Sequence, residues 1–248
     1  MTGVIKGVVI LSEAKDLKLH RSSRWRGCGR LRGVAGRCTR RYEREAWRLG
    51  FIRIAGVDEV GRGALFGPVV AAAVILDPAR RIPGVDDSKK LSALKRLRLT
   101  EKIQERAVAW AVAEVLPERI DAWNIYQASR QAMEQALAAL DPAADFVLSD
   151  AMRLELPVPC RAVIHGDARS VSIAAASILA KVHRDRLITD WDRVYPGYGL
   201  ARHKGYATRE HLARLRQQGP TPLHRRSFAP VRESLAILHA AEQNPLPF

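Results

Sequence analysis

The sequence predicts an α/β domain built on a mixed sheet, and three observations predict it. Two apolar runs, Ile52–Asp58 and Val69–Leu76, are separated by the turn signals Gly61–Gly63 and Gly67-Pro68, as in a hairpin. Later apolar runs at Ala107–Val115, Phe146–Ser149 and Arg161–Ile164 alternate with stretches of helical period. Hydrophobic residues make up 47% of the 248-residue chain, enough for one sizeable core.

Taken in order, a short helical pattern covers Tyr42–Leu49. Ile52–Asp58 is rich in β-branched residues and ends at charge. Val69–Leu76 is continuously apolar, the pattern of a strand buried on both faces. Ser92 is placed to cap a helix running to about Glu105. Ala107–Val115 is the third strand. Pro117 starts a short helix, and Ile125–Leu140 is a longer one, ended by Asp141-Pro142. Phe146–Ser149 is a short strand that stops at Asp150, and Arg161–Ile164 leads into His165-Gly166-Asp167. Val171–Tyr195 reads as a long helix whose small residues, Ala174–Ser177, let it pack close to a sheet. Thr208 caps a helix to Gln218, and a last helix covers about Val231–Ala241.

The formal net charge is +15, unevenly spread. Residues 1–48 hold 13 basic and 4 acidic residues, leaving a net charge of +6 for residues 49–248. The excess favours a polyanionic partner, because Lys and Arg bind phosphates with release of counterions. Arg and Gly cluster in Arg21–Arg41 without a periodic apolar face. Residues 1–41 are therefore expected to be a disordered basic extension, or sequence translated from a misplaced start, with residues 1–40 dispensable for activity. The folded domain is expected to span 42–248. The three cysteines, Cys28, Cys38 and Cys160, form neither a disulfide framework nor a metal-binding pair, which fits a reducing cytoplasm. The apolar stretch Val8–Leu11 is too short for a signal-peptide core or a membrane span.

Four acids stand where strands stop: Asp58, Glu59, Asp150 and Asp167. Taken singly, each reads as a capping or solvated loop residue. Taken together, converging carboxylates without matching Lys or Arg would repel one another, and a divalent cation removes that conflict. Oxygen-only ligands point to Mg²⁺ or Mn²⁺, and a pair of such ions is a known device for phosphoryl displacement. Asp58 and Glu59 are neighbours, so both can serve one site only if the strand ends or bulges there.

The run Gly56-Val57-Asp58-Glu59-Val60-Gly61-Arg62-Gly63 resembles the opening signature of the ribonuclease HII family. Asp87-Ser88-Lys89-Lys90-Leu91-Ser92 resembles the family's second motif. Ala174–Val182 followed by Arg184-Asp185 resembles its helix motif. His203-Lys204-Gly205-Tyr206 and His224-Arg225-Arg226-Ser227-Phe228 resemble its C-terminal motifs. The resemblance covers about Tyr42 to Leu238. It implies an RNase H-like fold, a central five-stranded mixed sheet flanked by helices, with a C-terminal helical extension. It implies that Asp58, Glu59, Asp150 and Asp167 are the catalytic acids and hold the metal, two ions of Mg²⁺ or Mn²⁺ in the catalytic complex.

The same resemblance implies an endonuclease acting on RNA–DNA hybrids and on duplex DNA containing ribonucleotides. It would cut 5′ of the ribonucleotide to leave 3′-hydroxyl and 5′-phosphate ends, with roles in ribonucleotide and primer removal. Gly61-Arg62-Gly63 would grip the junction between a ribonucleotide and the next deoxynucleotide, and Tyr206 would pack on the sugar there. The glycines allow backbone N–H groups to approach phosphate and 2′-OH, the group that marks a ribonucleotide in DNA. Ser88, Lys89 and Lys90 are read as further substrate contacts, the lysines to phosphates. The protein is expected to act as a monomer, away from membranes.

Two residues depart from the family pattern: Ala151 stands where Gly usually follows the third acid, and His165 where Lys usually precedes Gly-Asp. The first is expected to alter the loop beyond Asp150 slightly. The second makes one positive charge near the metals pH-dependent or removes it. Competing readings are a ribonuclease HIII, a junction resolvase, or a hybrid-binding module without catalysis. The HIII type would carry a sizeable N-terminal domain and Lys in place of Arg62. A mere binder gains nothing from four acids facing phosphate.

Overall fold

The computed structural model of the protein describes Val8–Val9 and residues 38–243; the rest of the basic N-terminal segment lies outside the described residues. The strands are β1 (Val8–Val9), β2 (Ile54–Val60), β3 (Val69–Leu76), β4 (Ala107–Val115), β5 (Phe146–Asp150) and β6 (Cys160–Val163). The helices are α1 (Arg41–Arg48), α2 (Ala93–Arg106), α3 (Pro117–Trp123), α4 (Ile125–Ala138), α5 (Val171–Val194), α6 (Leu200–His203), α7 (Arg209–Gln218) and α8 (Ala229–Gln243). The chain divides into two units: Met1–Val60, Val70–Glu114 and Arg130–Val182 form the first, and Gly61–Val69, Val115–Ser129 and His183–Phe248 the second.

The first unit carries the sheet, in the order β1-β4-β3-β2-β5-β6. Its five longer strands are the expected mixed sheet, and the two-residue β1 adds parallel pairing at the free edge of β4. β2 and β3 are antiparallel, whereas β2, β5 and β6 run parallel. All eight residues of β3 are buried, as a continuous apolar run requires. Val70, Ala72, Val74 and Leu76 of β3 share a core with Leu99 and Ile103 of α2 and with Ala174–Ala176, Ile178 and Leu179 of α5. A second cluster joins Ile54, Phe146, Leu148 and Val163 from the strands to Ala46 of α1 and Ile173 of α5.

Local chemistry fixes the element ends. The Ser92 hydroxyl accepts from the Lys95 N–H at the start of α2, and the Thr208 hydroxyl accepts from the His211 N–H at the start of α7. The small residues of α5 bring its first turn onto β2 at Gly56. A Cβ there would lie 2.1 Å from the Ser172 carbonyl carbon, so only glycine fits. Three short elements had no periodic signal: α6 and the 3₁₀ turns Ser88–Lys90 and Gly166–Ala168. Capping supports the first of these turns, since the Asp87 carboxylate accepts from the Lys89 N–H at 2.9 Å.

The second unit is built from the segment after β2 and the C-terminal helices. Phe66 is its apolar centre, packed with Ile188, Tyr198 and Leu200 and meeting the rings of Trp191 and Tyr195 edge-on at 5.8 Å. Leu65, Leu215 and Val231 form a neighbouring cluster that holds α7 and α8.

Candidate active site

The first unit places Asp58 on β2, Asp150 at the end of β5 and Asp167 in the 3₁₀ turn after β6. β2 and β5 are adjacent and parallel, which brings their carboxyl-terminal ends side by side. The three carboxylates offer oxygens that all lie within 4.8 Å of one another. Asp150 Oδ1 accepts from the Gly166 N–H at 2.7 Å, and a Cβ on Gly166 would lie 2.5 Å from Ile173 Cδ1 and 3.3 Å from that same oxygen. Glycine at 166 therefore lets the third and fourth acids approach.

Glu59 stands outside this group of three. The β2–β3 ladder runs regularly through Asp58 opposite Ala72 and Glu59 opposite Ala71, so the strand neither ends nor bulges at the acids. Gly61, at φ +90°, is the first residue that breaks the extended path. Glu59 is still close enough to act on Asp58 electrostatically. Burial holds the Asp58 carboxyl well above the usual range, and the negative charges of Glu59, Asp150 and Asp167 push the same way. Burial likewise raises Asp150, partly opposed by the Gly166 N–H.

Of the second motif, Lys89 reaches the acids. Its Nζ lies 3.0 Å from Asp167 Oδ2, and that bond raises the lysine pKa. Lys90 instead lies 3.9 Å from Asp86. Ser88 Oγ lies 2.7 Å from Ser177 Oγ, and the Ser177 hydroxyl bonds Asp58. Ser177 was not singled out from the sequence; the available signal was a lone hydroxyl in an otherwise apolar helix stretch, Ala174–Ala180. A compact set of hard carboxylate oxygens, with Asp58 and Asp150 disfavoured as anions by burial and then by neighbouring negative charge, fits a divalent cation. The single exposed lysine beside them does not neutralise the set.

The second unit brings Gly61-Arg62-Gly63 and Tyr206 together. Ala64 bridges Tyr206, and the Leu65 N–H donates to the Gly205 carbonyl at 2.8 Å. The two glycines have different reasons. Gly61 has a positive φ, and a Cβ on it would meet Arg184 Nε at 2.2 Å. Gly63 has neither constraint: an added Cβ would find nothing within 4 Å.

Behind Tyr206 lies a histidine cluster. His224 Nδ1 accepts from the Thr221 N–H at 3.0 Å, which leaves its Nε2–H to donate to His211 Nε2 at 3.1 Å. His211 then donates from Nδ1 to the Tyr206 carbonyl at 3.0 Å. His203 stacks on His211 at 4.4 Å and its Nδ1 accepts from the Gly205 N–H. Burial pushes His211 down to about 4 and His224 to about 3, so both are neutral.

A sequence model described as ribonuclease HII matches residues 55–231. The ribonuclease HII of Solibacter usitatus is 58% identical over 196 residues, covering 79% of this chain and 86% of that protein. That of Geobacillus thermodenitrificans is 56% identical over 197 residues, covering 79% and 76%. Among solved structures, the ribonuclease H2 of Pyrococcus horikoshii superposes with a TM-score of 0.66 at 27% identity, covering 76% of this chain and 99% of that one. The match spans the three-acid cluster and the Gly61–Tyr206 pairing alike, and the chain belongs to the ribonuclease HII family of endoribonucleases.

Proposed function

We propose that the protein hydrolyses the RNA strand of RNA–DNA hybrids and nicks duplex DNA on the 5′ side of an embedded ribonucleotide. The observation that carries this reading is the convergence of Asp58, Asp150 and Asp167 within 4.8 Å in a ribonuclease HII family member. These three would hold Mg²⁺ or Mn²⁺, two ions in the catalytic complex; Glu59, outside the group of three but one residue from the end of β2, would join as the fourth ligand by swinging its side chain round that strand end when the ions bind. Bound there, a divalent cation supplies charge neutralisation at the scissile phosphate and lowers the pKa of water. A water oxygen forms the new bond to phosphorus as the bond to the upstream O3′ breaks. The proton from water goes to bulk solvent and O3′ gains one, which leaves a 3′-hydroxyl and a 5′-phosphate.

The acids act on a phosphate, and phosphates look alike in RNA and DNA, so discrimination must come from groups that sense the sugar. Gly63 supports this role for the turn, because among the described residues neither a clash with an added Cβ nor a positive φ requires glycine there. Its missing side chain leaves room for a nucleic-acid backbone. Tyr206, paired next to that turn, would stack on the following deoxyribose and exclude a 2′-hydroxyl. Lys89 and Lys90 would complete the phosphate contacts, whereas Ser88, expected among the substrate contacts, is buried with its hydroxyl on Ser177 and would act through the Ser177–Asp58 hydrogen bond. We place the enzyme in the cytoplasm as a monomer serving ribonucleotide and primer removal, in line with a substrate of RNA–DNA hybrid and ribonucleotide-containing DNA.

The test uses a labelled duplex with one ribonucleotide, wild type, and Asp58→Asn, Glu59→Gln, Asp150→Asn and Asp167→Asn. Each variant is expected to lose at least a hundredfold in cleavage while still binding the duplex. Calorimetric titration should show weakened Mn²⁺ binding in the same variants. Near-normal nicking by Asp150→Asn in Mg²⁺ would overturn the acid assignment.

A further inference from the structure

Two arginines of the second unit, Arg184 and Arg225, are completely buried. A buried guanidinium is costly unless a carboxylate or full hydrogen bonding compensates it. Here both spend their donors on backbone carbonyls. Arg184 donates from Nε to Pro68 at 3.2 Å, from Nη2 to Phe66 at 3.0 Å and from Nη1 to Lys204 at 2.9 Å. Arg225 donates from Nε to Gly67 at 2.9 Å and from Nη1 to Arg62 at 2.8 Å, while its Nη2 makes no hydrogen bond. Burial and the neighbouring Arg184 charge push Arg225 down to about 9. A core built for stability alone would be served as well by apolar side chains of similar volume.

The carbonyls they bind have a pattern. Four belong to the segment that begins with Gly61-Arg62-Gly63, and the fifth belongs to Lys204, two residues before Tyr206. The Arg184 guanidinium also lies 5.4 Å from the centre of the Tyr206 ring, a cation–π contact. In a trans peptide the C=O and N–H point in opposite directions. Arg225 draws the Arg62 carbonyl inward, so the Gly63 N–H of the same peptide faces the other way. Gly63 is exposed, and the space about its Cα is open.

We propose that Arg184 and Arg225 are the positioning residues of the ribonucleotide reader, holding the Gly61–Pro68 segment and Tyr206 in one fixed relation and turning the Gly63 N–H toward the substrate. The proposal rests on the reading of that turn and Tyr206 as the sugar-sensing groups. The acids lie in the other unit and make none of the bonds described, so positioning and chemistry are separable by experiment.

The experiment compares cleavage of a duplex with a single ribonucleotide against cleavage of a long RNA–DNA hybrid, under one metal and salt condition. Arg184→Lys and Arg225→Lys keep the charge but lose the fork that spans two carbonyls. Arg184→Met and Arg225→Met keep most of the volume and remove the buried charge, giving a second folded form where the lysine variant is unstable. Each folded variant, verified by circular dichroism, is expected to lower the single-ribonucleotide-to-hybrid rate ratio at least tenfold, with hybrid cleavage within a few-fold of wild type. In a Tyr206→Ala background, Arg184→Lys should lower the ratio less than it does in wild type, because only its hold on the Gly61–Pro68 segment is left to lose. An equal loss on both substrates, a ratio unchanged in every folded variant, or collapse of the fold in all four would assign the arginines to stability alone and overturn the proposal. Tyr206→Ala and Gly63→Ala, run in parallel, separate the two layers. If they leave the ratio unchanged, the reading of the turn and Tyr206 fails; if they lower it and the arginine variants do not, only the present proposal fails.

Discussion

At the scale of single residues, backbone conformation bears on the two positions where the resemblance expects other residues. Ala151, where the resemblance leads one to expect glycine, has φ +48°. The left-handed region costs a residue with a Cβ roughly 1–2 kcal/mol, while glycine brings an offsetting entropy loss of about 0.4–1 kcal/mol. Ala151→Gly is therefore expected to raise stability by up to about 1 kcal/mol in denaturant unfolding, with nicking unchanged. His165 adopts φ +54°, a conformation histidine tolerates better than most residues, which fits its place as a substitute for lysine. Residue-level geometry also separates the two glycines of the turn. Gly61→Ala places a Cβ 2.2 Å from Arg184 Nε at a positive φ, so a lower melting temperature is expected together with lost activity. Gly63→Ala meets nothing within 4 Å, so its melting temperature should match wild type while single-ribonucleotide cleavage falls at least tenfold. A Gly63→Ala enzyme with full activity would show that the open space is not used by substrate.

At the scale of elements, the histidine cluster makes the turn between α6 and α7 sensitive to acid. His211 and His224 are held at about 4 and about 3, below the roughly 6.5 of an unfolded histidine. Well above pH 6.5, by more than about one pH unit, both states are neutral and stability does not change. Below it the unfolded chain binds protons that the folded chain refuses, so stability falls toward the folded values, by about 1.4 kcal/mol per histidine at pH 5.5. Asp58 and Asp150 act with the opposite sign, because a carboxyl raised by burial gains stability as pH falls. The variant comparison isolates the histidines: His224→Gln should lose about one proton's worth of slope between pH 6.5 and 5.5 in urea titrations. An unchanged slope would show that His224 is protonated in the fold. The elements themselves were legible where period and caps were strong, as in β3, α2 and α7. Where the signal was capping or packing without period, they were not: the 3₁₀ turns at Ser88 and Gly166 and the four-residue α6 have no apolar repeat to read. Asp150 and Asp167 were legible as acids where strands stop, but β2 runs past Asp58 and Glu59 to Val60, which the sequence did not show, since a ladder depends on the partner strand. Arg184, Arg225 and the histidines stood within or beside recognised motifs, but their burial comes from tertiary packing that no local pattern encodes.

At the scale of the whole molecule, the question is where the functional chain begins. A boundary near residue 41 is what composition alone gives, and the structure ties in residues on the near side of it. Thr39 pairs with Ser170, its N–H donating to the Arg169 carbonyl at 3.1 Å and its carbonyl accepting from the Val171 N–H at 3.3 Å. Arg40 donates to the Pro78 carbonyl. Glu43 is buried at the start of α5, where one carboxylate oxygen accepts from the Ser170 hydroxyl at 2.6 Å and from the Ser172 N–H at 2.9 Å. A carboxylate at that position satisfies an orphan donor and complements the helix dipole. Asp167 lies three residues before this junction, so the grip of Thr39 and Glu43 on Ser170–Ser172 bears on one of the three clustered acids. Residues 39–43 thus make contacts within the first unit, and we propose that a deletion should stop at 37 rather than 40. Removing residues 1–37 costs only the two-residue pairing of β1 among the described contacts, and nicking of a single-ribonucleotide duplex should stay within a few-fold at physiological salt. Removing residues 1–49 should abolish stable folding at 37 °C. Glu43→Gln in the full chain is the finer measure, expected to cost about 1–2 kcal/mol in urea unfolding. If the 1–49 deletion folded and nicked like the 1–37 deletion, Glu43 would have no part in holding Asp167, and the boundary read from composition would stand.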